Sequence, residues 1–322
     1  MQILIFGAGA LGQALGCMLA ADGHDISLVI RKRFIHAIEN GGLRVTGIFG
    51  NYEIEPGKIS LLENLHKRNG GNFDAAIITT KSYDTPGAIN AIAAMRNFSG
   101  KVVSMQNGCG NMEQVEERFG PERTFGARVI TGFEITAPGE VAITVTADAV
   151  HIGSCRRGQI PAFALELAGA IDRAGLPCIA VDDIYQDLFA KLLYNCTLNP
   201  LGAILGVHYG ALGEKEESRR IMDAVMDETF AVIRGLGGAT PWPDADAYRQ
   251  VFYGKLLPAT YNHRPSMLQD LENSKPTEVE SLVGYVARNG EQLNIATPTC
   301  ALLADLVRFR EAESSAPCPK KE

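Results

Sequence analysis

The sequence lacks any apolar run long enough to cross a bilayer. Such a run needs about 18 residues, and every apolar stretch is interrupted earlier. No basic segment, apolar stretch and cleavage site precede the first strand pattern, so we expect no signal peptide. These absences predict a cytoplasmic protein that has no membrane partner.

Metal-binding and disulfide motifs are also missing. The seven cysteines form no Cys-x-x-Cys pair and have no His neighbour at ligand spacing, so we expect reduced thiols and no metal. A net charge of −7 gives no reason to expect nucleic acid or an anionic membrane as a partner. An anionic small molecule stays compatible with this charge, because a local basic pocket can lie in an acidic protein.

What is present divides the chain into two parts. A length of 322 residues exceeds one ordinary core and predicts two domains. Up to Val181, short β-branched runs alternate with helical stretches, which is typical of βαβ units around a parallel sheet. The predicted strands are residues 3–6, 26–30, 75–80, 102–105, 129–135, 140–146 and 150–153, and the predicted helices are 12–22, 88–98, 112–119 and 160–174.

After Val181 the strand patterns nearly vanish. Residues 182–310 read as helices interrupted by Gly and Pro, with an irregular break at 235–243. We therefore predict a Rossmann-like parallel-sheet domain over residues 1–181 and an all-helical domain over 182–322. The polar residues 311–322 are expected to be frayed.

The first chemical motif is the hexapeptide Gly7-Ala8-Gly9-Ala10-Leu11-Gly12. A lone GxGxxG is a weak signal, but this one follows a strand and opens a helix, as in dinucleotide-binding folds. Gly7 would permit the tight turn, Gly9 the close approach of a pyrophosphate, and Gly12 the packing of helix on strand. The alternative is a glycine-rich turn that has no ligand.

The end of the second strand discriminates between NAD and NADP. An NAD site usually places Asp or Glu there to bind the ribose hydroxyls, whereas this strand ends in Arg31-Lys32-Arg33. A guanidinium can bind a 2′-phosphate through two hydrogen bonds. The pattern predicts NADP as cofactor, with Arg31 on the phosphate. A solvated basic turn is a fair alternative for Lys32 and Arg33.

Two further strand ends carry polar residues. Lys81 follows one predicted strand, and Asn107 lies just beyond another. Ligands of open parallel sheets bind beyond the carboxyl ends of the strands, so both positions are candidates for the site. Each alone would also fit ordinary turn chemistry.

A polar stripe marks the second half of the chain. Lys191, Asn195 and Asn199 are spaced i, i+4 and i+8 among apolar neighbours, which places them on one side of a helix. An unpartnered buried amide costs about 1–3 kcal/mol, and Asn is a mediocre helix former. The stripe therefore favours a polar pocket wall over the alternative, a solvent-facing edge of the helix.

Downstream, Pro276 predicts the start of another helix. Thr277 and Glu280 have the spacing of a capping box, which would give Glu280 a structural role. Glu278 is left as the better candidate for the site. Stabilisation of the helix N-terminus through the dipole is the alternative for Glu278.

Together these motifs resemble the ketopantoate reductase (2-dehydropantoate 2-reductase) family, of the 6-phosphogluconate-dehydrogenase-like two-domain group. The resemblance runs from Gly7 to about Arg310. It is carried by six motifs in order: residues 7–12, Lys81, 106–108, 191–200, 266–270 and 276–278. It implies transfer of hydride from NADPH to the keto carbon of 2-dehydropantoate, giving (R)-pantoate for the route to pantothenate and coenzyme A.

The resemblance also implies residue roles. Lys191 matches the general acid, and Glu278 the carboxylate that helps to orient and polarise the site and that lies with the cofactor. Asn107, Asn195 and Asn199 would hold polar groups of cofactor and substrate. The remaining matches are Ser266 on the substrate carboxylate, Lys81 near the nicotinamide and Arg31 on the 2′-phosphate.

The sequence departs from the family pattern at His263-Arg264-Pro265, just before Ser266. If either of the first two side chains faces the cleft, another 2-keto acid or a 3-hydroxy compound becomes the substrate of a sibling NADP-dependent reductase. A non-catalytic NADP-sensing protein is a further alternative, against which the Lys191 and Glu278 pair argues. A homodimer is our working expectation for the assembly.

Overall fold

The computed structural model describes residues 1–65 and 72–315. The chain divides into two compact units. Met1–Asn107 and Asn111–Ile184 form the first unit, and Gly108–Gly110 with the chain from Tyr185 onward form the second. The segment Gly108–Gly110 thus leaves the first unit for three residues before the chain returns to it.

Two sheets build the first unit. The larger has the strand order β12-β11-β8-β7-β6-β1-β2-β5, and the smaller has the order β4-β3-β10-β9. The strands are β1 Gln2–Phe6, β2 Asp25–Val29, β3 Leu43–Gly47, β4 Tyr52–Ile54, β5 Ser60–Leu62, β6 Ala75–Ile78, β7 Lys101–Ser104, β8 Thr124–Arg128, β9 Thr131–Ala137, β10 Glu140–Thr146, β11 Val150–Ser154 and β12 Cys178–Ala180.

The larger sheet is parallel except where β11 runs antiparallel to β8. The strand predicted over residues 129–135 is displaced, because β8 already ends at Arg128 and a new strand starts at Thr131. From Thr131 onward β9 pairs with β10 in the smaller sheet, and the Thr131 and Thr146 hydroxyls lie 3.0 Å apart. The added strand-rich segment therefore belongs to both sheets.

Helices cover both faces of the larger sheet. They are α1 Ala10–Ala21, α2 Lys32–Gly41, α3 Thr85–Ala93, α4 Asn111–Phe119 and α5 Ala162–Arg173. Ile3 and Ile5 pack in the cluster that contains α1 and α5, whereas Leu4 packs in the cluster that contains α3 and α4. Burial of each such side chain contributes roughly 1.5–3 kcal/mol. The helix predicted over residues 88–98 instead spans α3, which has a proline in its first turn.

The second unit is helical in its described residues. Its helices are α6 Ile184–Leu205, α7 Tyr209–Glu214, α8 Glu216–Gly235, α9 Ala245–Val251, α10 Leu257–Ala259, α11 Ser266–Glu272, α12 Val283–Leu293 and α13 Pro298–Ser315. A π-helical turn, Phe252–Leu256, joins α9 to α10. Leu193, Met226, Tyr248 and Val286 are completely buried in its core. The predicted succession of a Rossmann-like domain and a helical domain is confirmed.

The predicted fraying from residue 311 is wrong for residues 311–315, which continue α13. The Glu311 carboxylate accepts a hydrogen bond of 2.6 Å from the backbone N–H of Thr277, which ties this turn to the unit. Residues 316–322 lie outside the described part of the chain. Within the described ranges, no helix combines the length and apolarity needed to cross a membrane.

Candidate active site

The glycine loop connects β1 to α1 and is shaped by close backbone contacts. Gly7 has φ +118°, and its carbonyl accepts a hydrogen bond of 2.5 Å from the Thr79 hydroxyl. A Cβ on Gly12 would lie 1.9 Å from the Gly7 oxygen. Both glycines are therefore required by the packing of the loop itself. Ala8, Ala10 and Leu11 pack against the core beneath it.

Gly9 differs from its two neighbours in the motif. A Cβ there would meet no atom within 4 Å, so protein packing does not demand glycine at this position. Gly9 is the N-cap of α1, whose first turn contains no acidic residue and receives no side-chain cap. Open space before an uncapped helix N-terminus fits a dinucleotide diphosphate, which accepts backbone N–H groups there.

Arg31 lies at the carboxyl end of β2, where it is the N-cap of α2. Its side chain is 71% exposed, and its guanidinium lies 4.0 Å from the Asp84 carboxylate, which sequence reasoning did not identify. Lys32 and Arg33 are also exposed, and the Arg33 guanidinium packs over the Phe34 ring. Because β1 separates β2 from β6 in the sheet, Arg31 and Asp84 come from strand ends on either side of the glycine loop.

Lys81 and Asn107 follow β6 and β7, and both are half-buried. A buried amide that sequence reasoning gave no role, Gln106, connects the two strand ends. Its Nε2 donates to the Thr80 carbonyl at 3.1 Å and to the Thr85 hydroxyl at 2.7 Å.

The network continues from Thr85 to Asn107. The Thr85 hydroxyl donates to Asn111 Oδ1 at 2.9 Å, and Asn111 Nδ2 donates to the Asn107 carbonyl at 3.0 Å. These bonds satisfy buried polar groups and fix the backbone beneath both candidates. A polar residue directly after a buried strand was the only sequence signal for Gln106.

The polar stripe of the second unit lies on α6. Lys191 is half-buried, whereas Asn195 and Asn199 are buried. Asn199 Nδ2 donates to Asn195 Oδ1 at 3.3 Å, so the two amides contact each other along the helix. The hydroxyl of Tyr209 donates to Asn199 Oδ1 at 3.0 Å. The stripe is therefore a buried hydrogen-bonded series and not a solvent-facing edge.

Glu278 is 8% exposed and precedes a short 3₁₀ turn, Val279–Ser281. The three-residue segment of the first half that belongs to this unit lies on that turn. The Cys109 N–H donates to the Ser281 carbonyl at 2.9 Å, and a Cβ on Gly108 would lie 2.4 Å from the Ser281 hydroxyl. The second unit thus joins segments of two motifs that are about 170 residues apart in the sequence.

The predicted capping box between Thr277 and Glu280 is wrong. The Thr277 hydroxyl accepts from the Val279 N–H at 3.2 Å, and regular helix begins only at Val283. The Glu280 carboxylate binds Arg288 and Arg308 instead. The charged hydrogen bonds from two guanidiniums are stronger than a neutral contact to backbone, which explains why the local pattern is not used.

Ser266 is exposed and is the first residue of α11. The residues before it are occupied within the second unit. The Arg264 guanidinium binds Glu272 at 2.7 Å, and the His263 ring lies 5.0 Å from the Tyr209 ring. Arg264 is therefore engaged by an acid of its own segment, whereas His263 packs beside the tyrosine that contacts Asn199.

The fold and these residues define a class, that of two-domain nucleotide-dependent oxidoreductases. The model of the family "Ketopantoate reductase PanE/ApbA" matches residues 3–157, and that of its C-terminal part, "Ketopantoate reductase PanE/ApbA C terminal", matches residues 183–311. The chain belongs to this ketopantoate reductase family.

Individual relatives agree with this assignment. A 2-dehydropantoate 2-reductase of Aquifex aeolicus is 35% identical over 311 residues, which cover 97% of each chain. A PanE/ApbA family ketopantoate reductase structure from Ralstonia eutropha JMP134 has 31% identity and a TM-score of 0.84, covering 98% of this chain and 100% of that one. A D-mandelate dehydrogenase in complex with NADH has 25% identity and a TM-score of 0.82, covering 97% and 99%.

Proposed function

We propose that this protein catalyses the NADPH-dependent reduction of 2-dehydropantoate to (R)-pantoate. The observation that carries the proposal is its 35% identity to the Aquifex aeolicus 2-dehydropantoate 2-reductase over 97% of both chains. In the proposed reaction the keto group gains one hydride at carbon and one proton at oxygen. The product feeds the route to pantothenate and coenzyme A, in the cytoplasm. We assign cofactor binding to residues 1–181, catalysis to residues 182–322, and a homodimer to the assembly.

The first unit supplies the cofactor site in this proposal. Bound NADPH would supply the hydride. The loop of residues 7–12 holds the diphosphate against the N-terminus of α1, because Gly9 leaves space for it there. Arg31 binds the 2′-phosphate through its exposed guanidinium. Lys81 and Asn107, on the backbone fixed by the Gln106 network, contact the nicotinamide end.

Groups on the substrate oxygen come from the second unit. The keto oxygen develops negative charge as hydride arrives at carbon, so a cationic proton donor lowers the barrier. Lys191 Nζ is assigned as that donor. The buried Glu278 carboxylate orients and polarises the site and also contacts the cofactor. Asn195 and Asn199 hold substrate polar groups, as Asn107 does from the first unit, and Ser266 binds the substrate carboxylate.

A second candidate function is the reduction of another short 2-keto acid. Two observations favour keeping it: the 25% identity to a D-mandelate dehydrogenase, and the packing of His263 beside Tyr209 next to the Asn199 amide. An aromatic neighbour of the stripe would alter the shape offered to the substrate side chain. This candidate uses the same cofactor site and the same proton donor.

The experiment is the measurement of initial rates of NADPH and NADH oxidation with 2-dehydropantoate and a panel of 2-keto acids. We expect the highest kcat/KM for the pair NADPH and 2-dehydropantoate. Turnover of another keto acid, with none of 2-dehydropantoate, would select the second candidate. A higher kcat/KM with NADH would contradict the assignment of NADP and of Arg31.

A further inference from the structure

Tyr209 is a buried tyrosine that sequence reasoning did not single out. It is 3% exposed and begins α7, and its hydroxyl donates to Asn199 Oδ1 at 3.0 Å. Its ring is held on two sides, by an edge-to-face contact with Tyr194 at 5.9 Å and by the His263 ring at 5.0 Å. Its backbone N–H donates to the His263 carbonyl at 3.0 Å. The hydroxyl is therefore fixed in position.

The donor direction of this contact sets the orientation of two amides. Since Oδ1 of Asn199 accepts from the phenol, the Nδ2 group of the same amide lies on its other side, where it donates to Asn195 Oδ1 at 3.3 Å. The oxygen of Asn195 is thereby directed toward Asn199, and its Nδ2 points away from it. Burial raises the pKa of Tyr209, so the phenol remains a donor throughout the neutral range.

We propose that Tyr209 is a positioning residue for the reaction, acting through Asn199 to orient Asn195 so that its N–H groups face an oxygen of the substrate. The inference rests on the proposed function of the stripe as the substrate-binding wall. Without the phenol, either amide can rotate by half a turn, because its oxygen and nitrogen have nearly the same shape. A rotated Asn195 would present its oxygen to another oxygen, which is repulsive.

The test begins with Tyr209→Phe, which keeps the ring and removes the hydroxyl. We expect kcat/KM for 2-dehydropantoate to fall about 10-fold or more, with the loss in the substrate terms, while the dissociation constant of NADPH changes less than about twofold. The matched control is Tyr248→Phe. Tyr248 is a completely buried tyrosine of the same unit whose hydroxyl has no hydrogen-bond partner among the described residues, so its kcat/KM is expected to stay unchanged.

A double-mutant cycle separates positioning from general stabilisation. In an Asn195→Ala background, a residue that acts through Asn195 has nothing left to orient, so Tyr209→Phe should cost less than about twofold further. A full additional loss in that background would overturn the proposal. So would an unchanged kcat/KM in the single variant, even if its thermal midpoint fell.

A readout independent of turnover uses the side-chain amide signals of Asn195 and Asn199 in ¹H–¹⁵N spectra, assigned by the two Asn→Ala variants. Tyr209→Phe should shift both pairs of signals, and Tyr248→Phe neither. Unshifted Asn195 signals would overturn the orientation series directly. If the wild type does not reduce 2-dehydropantoate, the proposed function fails on its own, and the amide signals still decide whether Tyr209 orients the stripe.

Discussion

Glu228 and Cys300 are joined by a buried hydrogen bond of 2.8 Å from the backbone N–H of Cys300 to one carboxylate oxygen. The second oxygen accepts from the neighbouring Thr299 N–H, also at 2.8 Å. Glu228 lies on α8 and is 9% exposed, so an acid of one helix caps the first turn of another, α13. The carboxylate both satisfies two orphan donors and interacts favourably with the positive end of the helix.

Replacement of this cap should therefore destabilise the helical unit. We expect Glu228→Ala to lower the free energy of unfolding by about 2–3 kcal/mol, because two buried donors lose their acceptor. Glu228→Gln keeps one acceptor oxygen and should cost less. Urea unfolding measures both. Glu217→Ala, at an exposed acid of the same helix, is the control and should cost under about 1 kcal/mol. Equal losses at both positions would contradict the capping role.

The two glycines at the start of α1 should respond in opposite ways to alanine. Gly12→Ala places a Cβ 1.9 Å from the Gly7 oxygen, so we expect a loss of at least about 3 kcal/mol of stability. Gly9→Ala meets no atom within 4 Å and should change stability by less than about 1 kcal/mol. Because the methyl group would occupy the proposed diphosphate position, Gly9→Ala should weaken NADPH binding about tenfold or more. Urea unfolding and NADPH titration distinguish these effects, and unchanged NADPH affinity in Gly9→Ala would contradict the site.

Local patterns were sufficient for the strands that carry the glycine loop and the candidate strand ends. β1 and β7 are short β-branched runs between turn residues, and the polar stripe of α6 follows from helical spacing alone. The short strands β4 and β5 were not predicted. Each has three residues, too few for a period to be recognised, and each forms only by pairing with a longer strand.

Contacts between distant parts of the chain were beyond reach of the sequence for a different reason. The Tyr209–Asn199 bond depends on a turn between α6 and α7, and the Arg31–Asp84 pair depends on the order of strands in the sheet. Neither is encoded in a local period. The capping box failed in the same way, since Arg308 approaches Glu280 from a helix that begins 18 residues later in the chain.

Arg31 should distinguish NADPH from NADH. We expect Arg31→Ala to weaken NADPH binding by about 10–100-fold, the loss of a charged hydrogen-bonded contact, with little effect on NADH. Asp84→Asn is an informative partner variant. Its carboxylate lies 4.0 Å from the guanidinium and would repel a 2′-phosphate, so its removal should strengthen NADPH binding by about two- to fivefold. Fluorescence titration with both cofactors measures these changes. Equal weakening of both cofactors in Arg31→Ala would make that residue structural.

Stability should depend on pH through Glu280. Hydrogen bonding from Arg308, with the charges of Arg308 and Arg288, lowers the pKa of Glu280 below its usual value of 4.5. Because the pKa is lower in the folded state, the ionised carboxylate stabilises the fold at pH values above 4.5, and this contribution is lost as the pH falls through the folded-state pKa.

Glu280→Gln should therefore destabilise the protein at pH 7 by about 0.5–1 kcal/mol, and the difference from wild type should shrink below pH 4.5. Urea unfolding at several pH values gives the comparison. Glu291→Gln is a suitable control, because Glu291 is an exposed residue of α12 with no ion pair among the described residues. A Glu280→Gln effect that stayed constant between pH 7 and 3.5 would rule out titration of this carboxylate as its origin.

Lys191 tests the proposed chemistry most directly. If its ammonium protonates the developing alkoxide, Lys191→Ala should reduce kcat about 10²-fold or more, since a positioned general acid contributes roughly that much. Binding of NADPH should change less than about twofold, because the effect belongs to the transition state of the chemical step. Single-turnover rates and NADPH titration measure the two quantities separately. Lys255→Ala removes an exposed lysine of the same unit and should leave both unchanged. A parallel loss of cofactor binding in Lys191→Ala would place this side chain in the cofactor site and leave the proton donor to be found elsewhere.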